Sequence, residues 1–256
     1  MSDSANVVSD LFRLDGRMAM VTGASRGIGR ACALGLATAG ADVALVARDR
    51  ATLDEVAGEV AALGRQALVF ARDVTDSARI ATDIAGLPRL DILVNNAGTN
   101  APQAFLDVDG DTFDRLFQLN VRAAFFIAQA AARRMSTDGG GSIIHMSSQA
   151  AHTGLQDRTV YCASKAALEG LTRAMAVDLK GSGVRVNTVS PTFVRTEMTA
   201  AQLDRPAFRD YVDAHLLTGR LAEPSEVAAA VLYLASDAAG STTGASLPVD
   251  GGWLAH

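Results

Sequence analysis

Two kinds of segment alternate along the chain. Short runs such as Met18–Thr22 and Ile92–Asn95 are apolar and rich in aliphatic residues. The longer runs between them are rich in alanine and leucine and also carry polar residues. Continuous apolar runs are typical of strands that are buried on both faces of a parallel sheet, and their alternation with helices indicates βαβ units.

This pattern predicts seven strands and six helices. The predicted strands are Met18–Thr22, Asp42–Ala47, Gln66–Phe70, Ile92–Asn95, Ser142–Ser147, Arg185–Ser190 and Ser246–Val249. The predicted helices are Gly27–Ala39, Arg50–Leu63, Ser77–Ala85, Asp111–Met135, Val160–Lys180 and Pro224–Ala235. With right-handed crossovers they give an α/β fold: a single-domain doubly wound (Rossmann) seven-stranded parallel sheet with helices on both faces, spanning residues 1–256.

Composition and charge narrow the function classes. Hydrophobic residues make up 49% and charged residues 20%, and the net charge of −5 comes without a basic stripe, so nucleic acid is an improbable partner. No uncharged apolar run reaches the roughly 18 residues of a membrane helix, and residues 1–15 lack a signal-peptide pattern. The two cysteines, Cys32 and Cys162, form no metal-ligand pair and fit a reducing cytoplasm. We expect a cytoplasmic protein with a small-molecule substrate, no nucleic acid, no membrane and no metal.

A glycine-rich turn follows the first predicted strand. Gly23, Gly27 and Gly29 have the spacing G-x-x-x-G-x-G and lead into a helix. Such glycines let the backbone approach a pyrophosphate, which the N–H groups of the helix N-terminus would bind. A tight strand–helix turn without a ligand explains the same residues, so the motif alone is weak.

The second predicted strand ends without an acidic residue, and Arg48 follows it. A carboxylate at this position would bind ribose hydroxyls and repel a phosphate. Arg48, together with Arg26 of the first turn, suits the 2′-phosphate of NADP(H). The alternative is that Arg48 is a solvated charge paired with Asp49 or Asp54.

Turns after the next two strands offer further contacts. Asp73–Val74 could hold an adenine amino group, and Asn95–Gly98 could line a cofactor channel. Either motif alone is equally explained as a polar turn.

Tyr161 and Lys165 are four residues apart on one face of a predicted helix. A neighbouring ammonium stabilises a phenolate, so we expect the pKa of Tyr161 to lie below its usual value of about 10. Ser148, just past the fifth strand, could hydrogen-bond a substrate carbonyl. Asn120 lies inside a predicted helix, which suggests a local distortion or a tertiary role, although a partly exposed amide is the more ordinary interpretation of such a residue.

Taken in order from Gly16 to Trp253, these motifs resemble those of the short-chain dehydrogenase/reductase family. The resemblance implies a catalytic tetrad of Asn120, Ser148, Tyr161 and Lys165. In that tetrad, Asn120 holds a water that links Lys165 to solvent, and Lys165 also binds the nicotinamide ribose. It further implies a homotetramer. The candidate cofactor-binding residues are Gly23, Ser25, Arg26, Gly27, Ile28, Gly29, Arg48, Asp73, Val74, Asn96, Ala97, Gly98, Tyr161, Lys165, Pro191, Thr192, Val194 and Thr196.

Within that family the chain looks most like xylulose reductases and sugar-acid or polyol dehydrogenases. The likeness rests on Ser147–Gln149, Val160–Cys162, Ser190–Thr192, Thr242–Gly244 and Leu247–Gly252. Thr192 departs from the glycine that often follows this proline in the family. It implies that Gln149 contacts the substrate. The candidate substrate-binding residues are Ser148, Gln149, Leu155, Arg158 and Tyr161. Arg158 could favour a carboxylate or be a rim charge, and residues 196–219 are expected to form a lid.

Other interpretations remain. His152 and His215 are expected at the surface or in the lid, not as metal ligands. Cys162 is interpreted as a packing residue, not a nucleophile. The leading function is interconversion of a ketone and a secondary alcohol on a ketose, polyol, sugar acid or small dicarbonyl. The alternatives are a 3-oxoacyl-carrier-protein reductase, which would use arginines such as Arg122 and Arg133, and a regulator that binds NADP(H) without turnover.

Overall fold

The computed structural model describes residues 4–196, 199–200 and 203–255. Seven strands form one parallel sheet in the order β3-β2-β1-β4-β5-β6-β7. The strands are β1 Met18–Thr22, β2 Asp42–Ala47, β3 Ala67–Ala71, β4 Ile92–Asn95, β5 Gly141–Met146, β6 Val184–Pro191 and β7 Ser246–Val249. The predicted α/β, doubly wound seven-stranded fold is confirmed. The strand order reverses between β1 and β4, which is where ligands bind in such sheets.

Helices cover both faces of the sheet. They are α1 Ser4–Asp10, α2 Gly27–Thr38, α3 Arg50–Ala62, α4 Ser77–Ala85, α5 Gly110–Phe117, α6 Ala124–Asp138, α7 Thr159–Asp178, α8 Pro206–His215 and α9 Pro224–Ala235. The apolar core on one face includes Leu36, Val56 and Val231, from α2, α3 and α9. The core on the other face includes Ile80 and Ile127, from α4 and α6, and α7 packs against it. Within the described residues no helix is both long enough and apolar enough to cross a membrane.

Three differences from the predicted elements stand out. The single helix predicted over Asp111–Met135 is wrong, because a π-helical segment, Gln118–Ala123, separates α5 from α6. Neither α1 nor α8 was predicted. Val212 is the buried residue of α8. With so narrow an apolar face, the helix has no clear amphipathic pattern by which the sequence could predict it.

A third, small apolar cluster lies outside the two main cores. Leu203, Val212, Leu216 and Leu221 pack around Trp253, near the C-terminus. This cluster anchors α8 to the rest of the molecule.

Candidate active site

The ends of β1 and β4 are tied together at the point where the strand order reverses. The Thr22 hydroxyl oxygen accepts from the backbone N–H groups of Asn96 and Ala97, both at 3.0 Å. The Asn96 side-chain amide in turn donates to the carbonyl oxygens of Thr22 at 3.0 Å and Gly23 at 3.3 Å. The amide nitrogen of Asn96, predicted to line the cofactor channel, therefore holds the glycine turn in place.

Packing explains two of the three glycines in that turn. A Cβ on Gly29 would lie 2.1 Å from the Gly23 carbonyl oxygen, and one on Gly23, at φ +66°, would lie 2.9 Å from Asn96 Nδ2. Gly27, at φ +54°, lies opposite Thr196, whose Cγ2 would be 3.4 Å from its Cβ. The turn thus requires glycine geometrically and also approaches a candidate residue from the segment after β6.

The N-terminus of α2 opens from this turn, and Arg26 is its N-cap residue. A guanidinium has no acceptor atom, so this side chain cannot cap the N–H groups of the first helical turn. N–H groups beside glycines suit the pyrophosphate of a dinucleotide. The residues present at this end of the sheet therefore fit such a cofactor.

Arg48 is exposed at the end of β2. Both carboxylates considered as its partners are engaged elsewhere: Asp49 caps α3 through Ala51 N at 2.9 Å, and Asp54 binds Arg50 at 2.9 Å. The pKa of Asp73 is lowered mainly by hydrogen bonds from Thr75, and the positive charge of Arg48 lowers it further. Arg48 and Asp73 therefore belong to the same edge of the sheet.

Asn120 lies in the π-helical segment and is only 1% exposed. Its Oδ1 accepts from Thr99 N at 2.9 Å, and its Nδ2 donates to Thr99 O at 2.9 Å and to Ser164 Oγ at 3.0 Å. The predicted helix distortion is thus present, and the side chain connects the loop after β4 to α7. Unlike a partly exposed amide, this one is buried and has partners on both its oxygen and its nitrogen.

Lys165 is buried on α7 and points back to the sheet. Its Nζ donates to the Met146 carbonyl oxygen at 2.7 Å and lies 5.7 Å from the centre of the Tyr161 ring. Burial lowers the pKa of Lys165 to about 8, and the negative charge of Glu169 opposes that fall. A Cβ on Gly98 would lie 3.5 Å from this Nζ, so the glycine leaves room around the ammonium.

Ser148 and Tyr161 meet at the carboxyl end of β5. The Ser148 hydroxyl donates to Gln149 Oε1 at 2.7 Å and accepts from Ala150 N at 3.2 Å. Burial raises the pKa of Tyr161, and hydrogen bonding with Ser148 opposes that rise. The expected net lowering of this pKa is therefore not found in the chain by itself, because the loss of water around the phenol raises the pKa.

Two further polar groups lie near this centre. Arg158 is buried beside Tyr161, and burial lowers its pKa. The side-chain oxygen of Thr192 is buried and has no hydrogen-bond partner among the described residues. Buried polar atoms are nearly always paired, so an unpaired one at the end of β6 fits contact with a ligand.

The remaining candidate positions differ in accessibility. Ser25, Ile28 and Leu155 are half-buried, and Leu155 packs against the cluster around Trp253. Val74, Pro191 and Val194 are buried, so any cofactor contact from them would be made by the backbone or the edge of the side chain.

Three polar residues near Lys165 were not predicted to belong to the site. Glu169 is 4% exposed and receives hydrogen bonds from hydroxyls on β6 and β7. His145 is fully buried, its Nδ1 lies 3.3 Å from Asn95 Nδ2, and burial lowers its pKa to about 4. His152 was predicted at the surface and is partly exposed, yet its Nε2 lies 3.4 Å from Glu169 Oε1. A signal existed for Glu169, since it follows Lys165 by four residues.

Comparison with known proteins identifies the family. The family described as "Enoyl-(Acyl carrier protein) reductase" matches residues 23–254. D-threitol dehydrogenase of Mycolicibacterium smegmatis is 41% identical over 246 residues, which is 94% of each chain. L-xylulose reductase of Bos taurus is 39% identical over 245 residues, 95% of this chain and 99% of that protein. The chain belongs to the short-chain dehydrogenase/reductase family.

A solved short-chain dehydrogenase/reductase structure agrees with this assignment. The crystal structure of a gluconate 5-dehydrogenase from Burkholderia cenocepacia in complex with NADP and tartrate has a TM-score of 0.93 and 34% identity. The match covers 96% of this chain and 98% of that one. As a short-chain dehydrogenase/reductase, the protein is an oxidoreductase, and its relatives include sugar and polyol dehydrogenases.

Proposed function

We propose that the protein is an NADP(H)-dependent oxidoreductase that interconverts a ketone and a secondary alcohol on a small polar substrate, such as a ketose, polyol or sugar acid. One observation carries the proposal: at the carboxyl end of β5, Ser148 lies close enough to lower the pKa of Tyr161, and the buried Lys165 Nζ is 5.7 Å from the centre of the Tyr161 ring. That combination supplies a proton donor, a carbonyl-orienting hydroxyl and a fixed positive charge within one site.

Arg26 and Arg48 support NADP(H) as the cofactor. Both are exposed, and an arginine fork suits the 2′-phosphate through charge-assisted hydrogen bonds. The related gluconate 5-dehydrogenase binds NADP in its crystal structure. Bound NADPH supplies the hydride, or NADP⁺ accepts it, at the substrate carbon.

The chain's own residues manage the proton. In the reducing direction, Tyr161 donates its phenolic proton to the carbonyl oxygen, and in the oxidising direction its phenolate accepts that proton. Ser148 hydrogen-bonds the same oxygen, which requires its hydroxyl to leave the 2.7 Å bond with Gln149. The Lys165 ammonium stabilises the phenolate and binds the nicotinamide ribose. Asn120 fixes α7 through Ser164 and holds the water that links Lys165 to solvent.

Substrate polarity follows from the groups around Tyr161. Gln149 and Arg158 are buried polar side chains, whereas Leu155 contributes an apolar wall. The names of the relatives also support polyhydroxy substrates, since they are a threitol dehydrogenase, xylulose reductases and a galactitol dehydrogenase.

We further propose that residues 196–219 form a lid within a single domain. Residues 197, 198, 201 and 202 of this segment lie outside the described residues. Within this segment, α8 packs against the cluster around Trp253. We therefore expect α8 to move as one rigid helix when the lid opens or closes.

The test is a panel assay with purified protein, NADPH or NADH, and ketoses, keto acids, diketones and a 3-oxoacyl thioester. We expect NADPH oxidation with the ketoses or keto acids. Turnover with the 3-oxoacyl thioester alone would favour the carrier-protein reductase instead. NADPH binding without turnover of any carbonyl would favour the regulatory alternative and contradict the proposal.

A further inference from the structure

A row of polar side chains crosses the sheet beneath α7. The strand registers align Asn95 with His145, His145 with Thr188, and Thr188 with Ser246. Aligned residues of parallel strands point to the same face, and here that face is the one covered by α6 and α7. The rest of the interface between the sheet and these helices is mainly an apolar core. Four polar residues side by side on four strands therefore require an explanation.

Glu169 on α7 accepts hydrogen bonds from two residues of this row, Thr188 and Ser246, and from Ser190 further along β6. Its carboxylate accepts from the hydroxyls of Thr188 at 3.0 Å, Ser190 at 3.1 Å and Ser246 at 3.2 Å. An ionised carboxylate that is 4% exposed is costly unless such donors surround it. The three hydroxyls, from two strands, therefore form a built site for a negative charge inside the protein.

The charge lies one helical turn from Lys165. Residues four apart on a helix are neighbours on its surface, with Cβ atoms about 5–6 Å apart. Burial pushes the Lys165 ammonium toward its neutral form, and the Glu169 carboxylate acts against this. His145, which faces α7 from β5, is neutral at neutral pH because its pKa lies at about 4, so it adds no positive charge that would compete with Lys165 for the Glu169 carboxylate.

The outer end of the network reaches solvent. His152 Nε2 lies 3.4 Å from Glu169 Oε1 and 3.3 Å from Ser246 Oγ, and the His152 side chain is 32% exposed. Among the described residues, His152 from the segment after β5 and Lys165 from its own helix are the titratable groups with a recorded interaction with Glu169.

We propose that Glu169 is a positioning residue for Lys165: a buried carboxylate, fixed by the hydroxyls of β6 and β7, that keeps the lysine in its charged form. The assignment of Lys165 to catalysis rests on the proposed function, but the effect of Glu169 on its charge does not. Glu169 touches no reacting atom, so its influence passes through the ammonium.

The composition of the chain permits a direct measurement. It contains two lysines, the buried Lys165 and the exposed Lys180. Deuterated protein labelled with ¹³C at lysine Cε therefore gives two lysine signals, and Lys180 serves as an internal reference. Titrating the cofactor-free protein reports the pKa of Lys165 without any enzymatic activity.

We expect Glu169→Gln, which keeps the shape and removes the charge, to lower the pKa of Lys165 by about one unit or more, as loss of a close opposite charge does. Glu169→Asp should keep the pKa nearer to the wild-type value, because the charge remains. Asp178→Asn removes an exposed carboxylate from the same helix and should leave Lys165 unchanged. Equal Lys165 pKa values in wild type and Glu169→Gln, or in Glu169→Asp and Glu169→Gln, would overturn the proposal.

A second variant covers the case in which Glu169→Gln does not fold. The double variant Thr188→Val, Ser190→Ala keeps the carboxylate but removes two of its donors, so the carboxylate becomes a poorer anion. The pKa of Lys165 should then fall in the same direction by a smaller amount. An unchanged value in this folded variant would equally contradict the proposal.

Activity supplies the second readout. With less charge on Lys165, the Tyr161 phenolate is less stable, so the acid limb of kcat/KM for alcohol oxidation should move to higher pH in Glu169→Gln. A shifted Lys165 pKa in protein that turns over no alcohol would uphold the role of Glu169 and contradict only the proposed function. A shifted pKa in active protein whose acid limb stays in place would overturn the coupling to Tyr161.

Discussion

The Lys165 ammonium donates a 2.7 Å hydrogen bond to the carbonyl oxygen of Met146, the last residue of β5. This bond draws a charged group into the protein, where it is 5% exposed and has a pKa of about 8 instead of 10.5. At pH 7 both the folded and the unfolded chain carry the proton, so the folded state bears the full cost of the buried charge. The lysine is therefore a destabilising residue, and the proposed mechanism gives a reason for its presence.

Replacing Lys165 by methionine should stabilise the protein at pH 7. The shift in pKa, which already includes the attraction of Glu169, corresponds to about 3 kcal/mol, from which the loss of the bond to Met146 must be subtracted. We expect a gain of about 1–2 kcal/mol in the free energy of unfolding, measured with urea, together with loss of activity. Between pH 8 and 10.5 the unfolded chain binds a proton that the folded chain does not, so wild-type stability rises with pH and the difference shrinks. A variant that is less stable at pH 7 would refute this account.

His145 should make the protein acid-sensitive. Its pKa is depressed to about 4 in the folded chain, from 6.5, so the unfolded state binds an extra proton as the pH falls through this window. Stability is fully present above pH 6.5 and declines by about 3 kcal/mol toward pH 4 from this group. His145→Gln should flatten that decline, as urea unfolding at pH 7, 5.5 and 4.5 would reveal. Parallel losses in both proteins would assign the acid sensitivity to other groups.

Tyr161→Phe removes the transferable proton and leaves the ring. We expect turnover to fall by roughly a hundredfold or more, the usual contribution of a positioned general acid, while NADPH affinity measured by fluorescence stays within a few-fold. Tyr233→Phe is the matched control, since the Tyr233 hydroxyl bonds to Thr242 on the far side of the sheet. Near-normal turnover of a folded, NADPH-binding Tyr161→Phe protein would remove Tyr161 from the mechanism.

Arg48→Asp should move cofactor preference from NADP(H) toward NAD(H). The new carboxylate accepts from the ribose hydroxyls and repels the 2′-phosphate, which should change the ratio of kcat/KM values by roughly tenfold to a hundredfold. Arg50→Asp is the control, because Arg50 is exposed nearby and pairs with Asp54. Wild-type protein that uses NADH as well as NADPH would contradict the assignment from the start.

The apolar surface of α6 tests the predicted homotetramer. Phe125 and Phe126 are each 38% exposed, and the Arg122 guanidinium lies 4.9 Å from the centre of the Phe126 ring. If α6 lies at a subunit interface, Phe126→Glu should reduce the particle mass in light scattering toward the 26.6 kDa chain. Leu63→Glu, at an exposed leucine after α3, should leave the mass unchanged. A wild-type monomer at micromolar concentration would end the hypothesis.

The sequence predicted the sheet well because five of its seven strands are largely buried and only the edge strands β3 and β7 are partly exposed. Four strands begin and end at the predicted residues, and each of the other three differs by one residue at both ends. The agreement is close because the change from apolar to polar residues shows where each strand begins and ends. The glycine turn and the Tyr161–Lys165 pair could also be predicted from the sequence, because each is formed by residues that are close together in the chain. The helix α8 was not, since its stability comes from distant contacts with Trp253.

The Glu169 network shows what local patterns leave out. Its donors lie 19 to 77 residues away, and only the strand registers place them side by side. A glutamate within a helix is ordinarily interpreted as a surface residue. The same holds for His145, whose burial follows from its position opposite α6 and α7 and not from its neighbours in sequence.

The π-helical segment makes the number of residues between α5 and α6 a constraint in its own right. Deleting one residue from Gln118–Ala123 would let the two helices join as one regular α-helix with better internal hydrogen bonds. Everything before the deletion would then rotate by about 100° around the axis, turning the buried Leu116 away from the core. The Asn120 amide would leave Thr99 and Ser164 at the same time. Substitutions in this segment should therefore be tolerated far better than insertions or deletions of a single residue.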